Sequence, residues 1–168
     1  MGRIRGPPAG SSLNYELSFE RERLDIDVVH GFLTQSYWSP GISKELVARA
    51  ISHSLCIGAF ADGAQVGFAR LVTDRATFAY LADVFVLPDH RGHRISERMV
   101  EALLALPDVQ GLRRIMLATR DAHRLYARFG FSPLAAAERF MEIHRPQIYG
   151  APPALPSSAQ TPLPGASG

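Results

Sequence analysis

The residues best suited to chemistry form one basic segment, Arg91-Gly92-His93-Arg94-Ile95-Ser96. An apolar run over residues 81–87 and Pro88 precede it, and apolar residues recur at helical spacing after it. A strand, a glycine-containing turn and a helix start, in this order, bring backbone N–H groups and the positive end of a helix dipole to one point. The segment therefore predicts a site for a phosphate or pyrophosphate. The alternative is a surface turn with a solvated charge cluster.

A second segment, at residues 122–131, indicates which kind of phosphate-containing ligand the loop could bind. Residues 122–131 read Ala-His-Arg-Leu-Tyr-Ala-Arg-Phe-Gly-Phe, which resembles the Ala-x-x-Leu-Tyr-x-x-x-Gly-Phe motif of the GNAT superfamily of N-acetyltransferases. Residues 91–96 resemble the cofactor loop of that family, which is Arg or Gln, two residues, Gly, one residue, then Gly or Ala. The two segments occur in the family's order and at a similar separation, and the resemblance covers roughly residues 13–146.

Two residues depart from the family's loop. Arg94 stands where the family prefers Gly, and Ser96 where it prefers Gly or Ala. Glycine lets the backbone approach a phosphate closely and allows a positive φ, so we expect Arg94 to keep its N–H available only with an ordinary φ. Its side chain either adds a phosphate contact or crowds the cofactor. Ser96 could donate its hydroxyl or cap the helix, and Gly92 keeps one permissive position.

The resemblance implies an acyl-CoA N-acyltransferase with acetyl-CoA as co-substrate. The acetyl (acyl) group would pass to an amine of a small-molecule or amino-acid-like acceptor by direct attack on the thioester. The cofactor would lie along the strand at residues 84–86, on the loop amides and near the end of the next strand. The residues implied are Val84, Phe85, Val86, Arg91, Gly92, His93, Arg94, Ile95, Ser96, Thr119 and Asp121. The alternative is a non-catalytic CoA-binding domain with a regulatory or protein-binding role.

Two residues are candidates for catalysis. Tyr126 matches the family tyrosine proposed to protonate the leaving thiolate, and a phenol with a pKa of about 10 is protonated near neutral pH. Its alternative role is packing on a short helix, with the hydroxyl merely satisfied. Asp83 lies in an apolar strand, where an unpaired carboxylate is costly. It is therefore either paired structurally or has a raised pKa suited to a general base.

Three aromatic residues are candidates for the acceptor side. Tyr37 and Trp38 follow the first predicted helix. They could line a site for an amine and attract it through cation–π interaction, or they could pack the helices onto the sheet. Strict alternation along the strand puts Tyr80 on the face opposite Asp83, where it could line a path for water.

These residues are positioned by an α+β domain with a GNAT-like mixed, mostly antiparallel twisted sheet flanked by helices. The predicted order is β-α-α-β-β-β-α-β-α-β. Strands are predicted at residues 15–19, 55–61, 66–74, 77–87, 114–119 and 139–143, and helices at 26–35, 44–52, 96–106 and 122–129. Asp25 and Asp121 are predicted helix caps. The strand at 77–87 lacks polar alternation, which predicts burial on both faces.

The predicted domain spans residues 13–146, after a flexible arm at 1–12. The tail at 147–168 is rich in Pro, Ala, Ser and Gly and is expected to be disordered. Cys56 is the only cysteine, which excludes a disulfide within the chain and favours a reducing, cytoplasmic location. Cys56 lies in an apolar run, so a buried structural thiol is expected.

Composition limits the partners. The 168 residues carry a formal net charge of +2, and the clustered arginines lack interleaved aromatic residues, so we expect no nucleic acid partner. No apolar run reaches the roughly 18 residues of a spanning helix, so no membrane partner is expected. The six histidines lack zinc-ligand spacing, and no metal is expected. A homodimer is left open.

Overall fold

The computed structural model describes residues 13–150, so the predicted arm and all of the predicted tail except 147–150 lie outside the described residues. Five strands form one sheet in the order β1-β2-β3-β4-β5. β1 to β4 pair antiparallel, and β5 is parallel to β4. The predicted α+β class with a mostly antiparallel sheet is confirmed. The strands are β1 (Tyr15–Ser18), β2 (Leu55–Ala61), β3 (Ala64–Thr73), β4 (Phe78–Val86) and β5 (Arg114–Met116).

Two helices cover one face of the sheet. α1 (Ile26–Leu33) begins at Asp25, whose carboxylate accepts the backbone N–H of Asp27 at 2.9 Å, so the predicted cap is confirmed. α2 (Lys44–Ser52) has the predicted bounds. The apolar sides of both helices meet Phe68 and Phe85 from the sheet in one buried core. This core fixes the loop between the two helices above β4.

The opposite face is covered by α3 (Ile95–Leu104). Its buried positions Met99, Val100 and Leu103 are fully inaccessible to solvent and pack on the alternate residues of β2, β3 and β4. Burying three large apolar side chains stabilises the docking of α3 by several kcal/mol. The N-terminus of α3 is therefore held against the end of β4.

β4 carries a bulge at its centre. Phe68 faces Phe85 and Arg70 faces Ala82, so two residues of β4 oppose one residue of β3. Asp83 lies at this bulge with φ +55°. A bulge inserts one residue, reverses the alternation of side chains and bends the strand.

β4 and β5 pair only briefly. Their register covers Phe78, Ala79 and Tyr80 of β4, and the strands separate beyond these residues. One face of β4 contributes Ala79 and Leu81 to the core. On the other face Phe85 is buried beneath α1 and α2, whereas Tyr80, Ala82 and Asp83 are only half-buried. The prediction that this strand is buried on both faces is therefore wrong for residues 80–83, which border the space between β4 and β5.

The C-terminal part of the sheet is smaller than predicted. β5 ends at Met116 rather than Thr119, and residues 139–143 form no strand. A single 3-10 turn covers Ala137–Arg139, and the Phe140 ring then lies 4.8 Å from the Arg114 guanidinium carbon. A strand needs a hydrogen-bonding partner, and within residues 13–150 nothing pairs with the outer edge of β5.

Two short helices complete the order. α4 (Pro107–Gln110) is additional to the predicted elements and begins with Pro107, which suits a first helical position. α5 (His123–Ala127) is shorter than predicted. Among the described residues, no helix combines the length and the apolar character needed to cross a membrane.

Candidate functional site

A cleft of about 680 Å³ opens where β4 and β5 stop pairing. We call it the β4–β5 cleft. It brings together most of the predicted site residues, which come from the α1–α2 loop, β4, α3, the segment after β5, and α5. These residues are Tyr37, Trp38, Tyr80, Asp83, Val84, Phe85, Val86, Arg91, Ser96, Thr119, Asp121 and Tyr126. Gly92, His93, Arg94 and Ile95 lie beside its lining rather than in it.

One wall of the cleft is an open strand edge. Beyond Tyr80, β4 pairs with β3 alone, so the edge of residues 81–86 that faces the cleft has no strand partner among the described residues. An unpaired edge presents backbone N–H and C=O groups in a row. An extended ligand that carries amide groups could therefore bind there as a strand does.

The loop before α3 carries a run of free backbone donors. None of the N–H groups of residues 92–97 donates a hydrogen bond within residues 13–150. The first residues of a helix lack intrahelical acceptors, and the dipole of α3 adds positive potential at the same end. Such a run of N–H groups forms an anion site.

Backbone conformation explains the shape of this run. Gly92 has φ +83° and Arg94 has φ +57°, so both adopt the left-handed conformation. We expected Arg94 to keep its N–H available only with an ordinary φ, and that expectation is wrong. The chain turns into α3 at this position as a glycine would, at a cost of about 1–2 kcal/mol for a residue with a Cβ. The N–H of Arg94 remains free despite the positive φ.

The side chain of Arg94 is paired with a carboxylate in the first turn of α3. Its guanidinium donates to the Glu97 carboxylate, with Nε at 2.9 Å and Nη2 at 2.7 Å. Arg128 of the segment after α5 donates to the other Glu97 oxygen at 2.8 Å. The hydrogen bond from Arg94, followed by the charges of both arginines, lowers the pKa of Glu97. Glu97 is therefore an anion at neutral pH, and it holds the Arg94 guanidinium in an ion pair.

Other predicted loop residues have structural contacts. The Arg91 Nε donates to the Val86 carbonyl at 3.1 Å, which ties the loop to the end of β4. His93 packs its ring against Tyr15 of β1, with ring centroids 5.1 Å apart. Ser96 is the second residue of α3, and no side chain caps this helix, so the capping role considered for Ser96 is not found.

Tyr126 reaches the cleft from α5. Its ring lies edge-on to Phe131, with centroids 6.0 Å apart, and packs on the core beneath α3. Burial raises the pKa of the Tyr126 phenol to about 12, with smaller contributions from Tyr37 and the negative charge of Asp121. The phenol is therefore protonated throughout the physiological range. Tyr126 therefore packs on the core and also keeps a protonated phenol, so the two roles considered for it are compatible.

Asp83 is fully engaged by neighbouring side chains. Its Oδ2 accepts from the Arg70 Nε at 2.5 Å, and its Oδ1 accepts from the Trp38 Nε1 at 3.0 Å. The Asp83 side chain is 9% exposed and the Arg70 side chain 18%. Arg70 also donates to the Ser54 hydroxyl at 3.1 Å. These contacts favour the structural alternative for Asp83, because both of its carboxylate oxygens already accept hydrogen bonds from neighbouring side chains.

The bulge corrects the predicted face of Tyr80. Ala79, Leu81, Val84 and Val86 all face the core under α3, so Tyr80 and Asp83 share the opposite face. Strict alternation had separated them. The extra residue at the bulge reverses the pattern between the two positions.

The segment after β5 differs from its predicted role. The N–H of Ala122 donates to the Thr119 Oγ1 at 3.0 Å, and Asp121 does not cap α5. The prediction of Asp121 as the cap is therefore wrong. Asp121 lines the cleft near Tyr126 and is exposed, with no hydrogen bond or salt bridge to any residue in 13–150. It is the carboxylate of the cleft that remains available to a ligand.

An aromatic group closes the other side of the cleft. The Tyr37 and Trp38 rings meet edge-on with centroids 4.9 Å apart, and the Arg120 guanidinium lies 4.0 Å above the Tyr37 ring. Phe32 of α1 stacks on Phe85 at 4.0 Å. Tyr37 and Trp38 therefore pack on the sheet side while remaining 51% and 40% exposed. Both roles considered for the pair are compatible with these contacts.

Sequence reasoning missed Arg70 and Glu97. Arg70 interrupts the apolar residues of β3, and a charge of opposite sign interrupts β4 at Asp83. Two isolated opposite charges on neighbouring predicted strands were the available signal. Within residues 13–150, no group of three or more His, Cys, Asp or Glu residues could hold a metal ion.

Known proteins resemble this chain in sequence and in fold. Residues 32–131 match the acetyltransferase (GNAT) family model. A crystal structure from Xanthomonas campestris pv. campestris, of a protein assigned to the GNAT acetyltransferases, is 50% identical with a TM-score of 0.80, covering 82% of this chain and 98% of that one. A Gibberella zeae protein assigned to the acetyltransferases is 28% identical over 136 residues, 68% of this chain and 77% of its own length.

A more distant structure shares the fold alone. It is an aminoglycoside N-acetyltransferase in complex with CoA, 18% identical with a TM-score of 0.55. The match covers 83% of this chain and 97% of that one.

Proposed function

Because the chain belongs to the acetyltransferase (GNAT) family, whose members transfer acyl groups from acetyl-CoA, we propose that its acceptor is an amine. The acceptor is a small molecule or an amino-acid-like compound, and the amine attacks the thioester directly. The observation that supports acetyl-CoA as the acyl donor is the run of free N–H groups at residues 92–97, beside an open strand edge. Together they suit a ligand with phosphates at one end and amides along its length.

The residues present fit acetyl-CoA. The pyrophosphate would accept hydrogen bonds from the N–H groups of residues 92–97, where the dipole of α3 stabilises negative charge. The amide-containing arm would pair with the cleft edge of β4 at residues 81–86. When bound, the thioester supplies the activated acyl group. A free N–H at the bulged strand would polarise its carbonyl as charge develops on the oxygen.

The reaction needs one group that donates a proton and one that accepts a proton, and we propose Tyr126 and Asp121 for these two roles. The amine nitrogen bonds to the carbonyl carbon, the carbon–sulfur bond breaks, and the sulfur takes a proton. Tyr126 is the donor we propose, since its phenol keeps its proton up to a pKa of about 12. The attacking amine must lose a proton, and Asp121 is the free carboxylate of the cleft that can accept it, directly or through water. Asp83 instead holds Trp38 and Arg70 in place.

The direct test is binding of acetyl-CoA by calorimetry, followed by thiol release with a panel of amines. Gly92→Ala provides the loop variant, since Gly92 has φ +83° and open space where a Cβ would lie. Gly63→Ala is the matched control, because Gly63 has φ +82° and equally open surroundings in the β2–β3 turn. Both variants should lose similar stability, of about 1 kcal/mol.

Only Gly92→Ala should weaken acetyl-CoA binding, by about tenfold, because the loop must then give up the geometry that aims its N–H groups at the phosphates. Equal affinities of the two variants, or no binding by the native chain at millimolar acetyl-CoA, would refute the proposal. The alternative function, a non-catalytic CoA-binding domain, would bind acetyl-CoA and release no thiol with any amine.

A further inference from the structure

Two opposite charges in the β4–β5 cleft have no partner in the described part of the chain. The charged residues that line the cleft are Asp83, Arg91, Arg120 and Asp121. Asp83 is paired with Arg70, and the Arg91 side chain donates to a backbone carbonyl at the end of β4. Arg120 and Asp121 form no salt bridge with each other or with any other residue in 13–150. The cleft therefore offers a ligand one free guanidinium and one free carboxylate.

An aromatic ring positions the Arg120 guanidinium. The central guanidinium carbon lies 4.0 Å from the centre of the Tyr37 ring, and Tyr37 meets the Trp38 ring edge-on. A guanidinium can lie over an aromatic ring and still donate its N–H groups to a carboxylate in a bidentate pair. Within residues 13–150, the side-chain N–H groups of Arg120 donate no hydrogen bond. Arg120 therefore combines a fixed position with free donors in the lining of the cleft.

Asp121 places the negative charge close to the proposed proton donor. Tyr37 and Asp121 add to the effect of burial in raising the pKa of Tyr126, so these three side chains lie near one another in the cleft. Asp121 also follows Arg120 directly in the chain. A cation and an anion side by side add no net charge to the cleft, and they are complementary to a ligand that carries one charge of each sign.

We propose that the acceptor is an amino acid in its zwitterionic form, whose carboxylate binds Arg120 and whose ammonium group binds Asp121. This inference rests on the proposed N-acyl transfer and names its substrate class. The ammonium group gives a proton to Asp121, directly or through water, and the amine nitrogen then bonds to the thioester carbonyl carbon. The carbon–sulfur bond breaks and the sulfur takes the Tyr126 proton, so the products are an N-acyl amino acid and CoA. Arg120 holds the carboxylate throughout and takes no part in proton transfer.

Matched pairs of acceptors test the inference. Each amino acid of a panel is compared with its own amide, which keeps the amine and the side chain and lacks the carboxylate, by thiol release from acetyl-CoA. At least one amino acid should have a kcat/KM at least about tenfold above that of its amide. The amide has the more easily deprotonated amine, so it would react faster if the carboxylate were not recognised. Amides that match or exceed their acids would overturn the inference and leave amine acylation standing, whereas no turnover of any amine would overturn both.

Variants of Arg120 assign the preference to one side chain. Arg120→Gln should lower kcat/KM for the amino acid at least about tenfold, with turnover of the amide and calorimetric affinity for acetyl-CoA nearly unchanged. Arg120→Lys should keep part of the preference, because it retains the charge and loses the bidentate contact. Arg124→Gln is the control, since Arg124 is exposed on α5 and outside the cleft lining. Equal losses for acid and amide would mean that Arg120 only positions Tyr37, and weaker acetyl-CoA binding would mean that Arg120 serves the acyl donor. Either result would overturn the inference.

Discussion

Asp83 and Tyr126 both line the β4–β5 cleft, but their surroundings prepare them for different tasks. The carboxylate of Asp83 accepts one hydrogen bond on each oxygen, from Arg70 and Trp38. The phenol of Tyr126 is half-buried and makes no hydrogen bond within the described part of the chain. Both oxygens of Asp83 are therefore occupied by hydrogen bonds, whereas the Tyr126 phenol is protonated at neutral pH and has no hydrogen-bond partner among the described residues.

Removing the Tyr126 hydroxyl should separate turnover from binding. Tyr126→Phe is expected to lower kcat about a hundredfold and to leave acetyl-CoA affinity unchanged, as measured by thiol release and calorimetry. An acid acts while protonated, so activity that depends on Tyr126 persists below its pKa of about 12 and is lost only as pH rises through that value. Any loss of activity at a lower alkaline pH has another cause, so the pH–rate profiles of the native protein and Tyr126→Phe should have the same shape there. Tyr149→Phe is the control, and equal turnover of the two variants would remove the acid role.

Asp83 should act mainly on stability. Asp83→Asn leaves the Arg70 guanidinium without its counterion, and we expect the free energy of unfolding to fall by about 2 kcal/mol, less than for a fully buried pair. Adding Arg70→Met should cost less than the sum of the two single changes. Asp108→Asn breaks the exposed pair with Arg75 and should cost below about 0.5 kcal/mol. Urea denaturation measures the free energy of unfolding of the four variants, which are Asp83→Asn, Arg70→Met, the double variant and Asp108→Asn. A stable Asp83→Asn variant without turnover would instead identify Asp83 as catalytic.

At the scale of elements, the start of α3 combines attraction and repulsion for an anion. The free N–H groups of residues 92–97 and the helix dipole favour negative charge, while Glu97 places a carboxylate in the first turn. Arg94 and Arg128 form ion pairs with Glu97 and partly neutralise its negative charge. The balance of these charges sets how strongly the loop holds phosphates.

Removing the Glu97 charge should therefore tighten binding. Glu97→Gln frees two arginines and removes a repulsive charge, so acetyl-CoA affinity should rise about two- to fivefold at low salt. The gain should shrink as salt screens these exposed groups. Calorimetry at two salt concentrations measures it, with Glu101→Gln, one turn further along α3, as the control. Weaker binding would mean that Glu97 is needed to hold the loop.

At the scale of the molecule, the two faces of the sheet have separate cores, and Cys56 belongs to the core beneath α1 and α2. The predicted buried thiol is confirmed, with 8% exposure. Burial raises the pKa of Cys56 to about 11, only partly offset by the positive charge of Arg70. The thiol therefore stays neutral in the folded protein at pH values where an unfolded chain ionises it.

This difference makes stability depend on pH in a defined direction. Between the unfolded pKa of about 9 and the folded pKa of about 11, the unfolded state binds fewer protons, so stability falls as pH rises. From about pH 7 to about pH 10, the native chain should lose about 1 kcal/mol more than Cys56→Ala. Urea denaturation at both pH values checks this. Parallel losses in the two proteins would mean that the thiol is more accessible than the structure indicates.

Much of the framework follows from local patterns. The bounds of α2 and β2, the Asp25 cap and the strand–turn–helix order around Arg91 were predicted from the sequence and are confirmed. Each depends on residues within a few positions of one another, where propensity and capping act directly. The predicted last strand at residues 139–143 did not form, because a strand needs a hydrogen-bonding partner and these residues do not pair with the outer edge of β5 or any other described strand.

The sequence by itself determined that an apolar strand is followed by a basic loop and the N-terminus of a helix. It also determined that the segment with Leu125, Tyr126 and Gly130 follows the next strand. Only the tertiary structure decided which charges meet. Arg70 and Asp83 are 13 residues apart and Trp38 is 45 residues from Asp83, and their contacts depend on the register of β3 with β4. The bulge at Asp83 changes that register by one residue, which reverses every later side chain. Such long-range geometry is set by packing across the sheet rather than by neighbours in the chain.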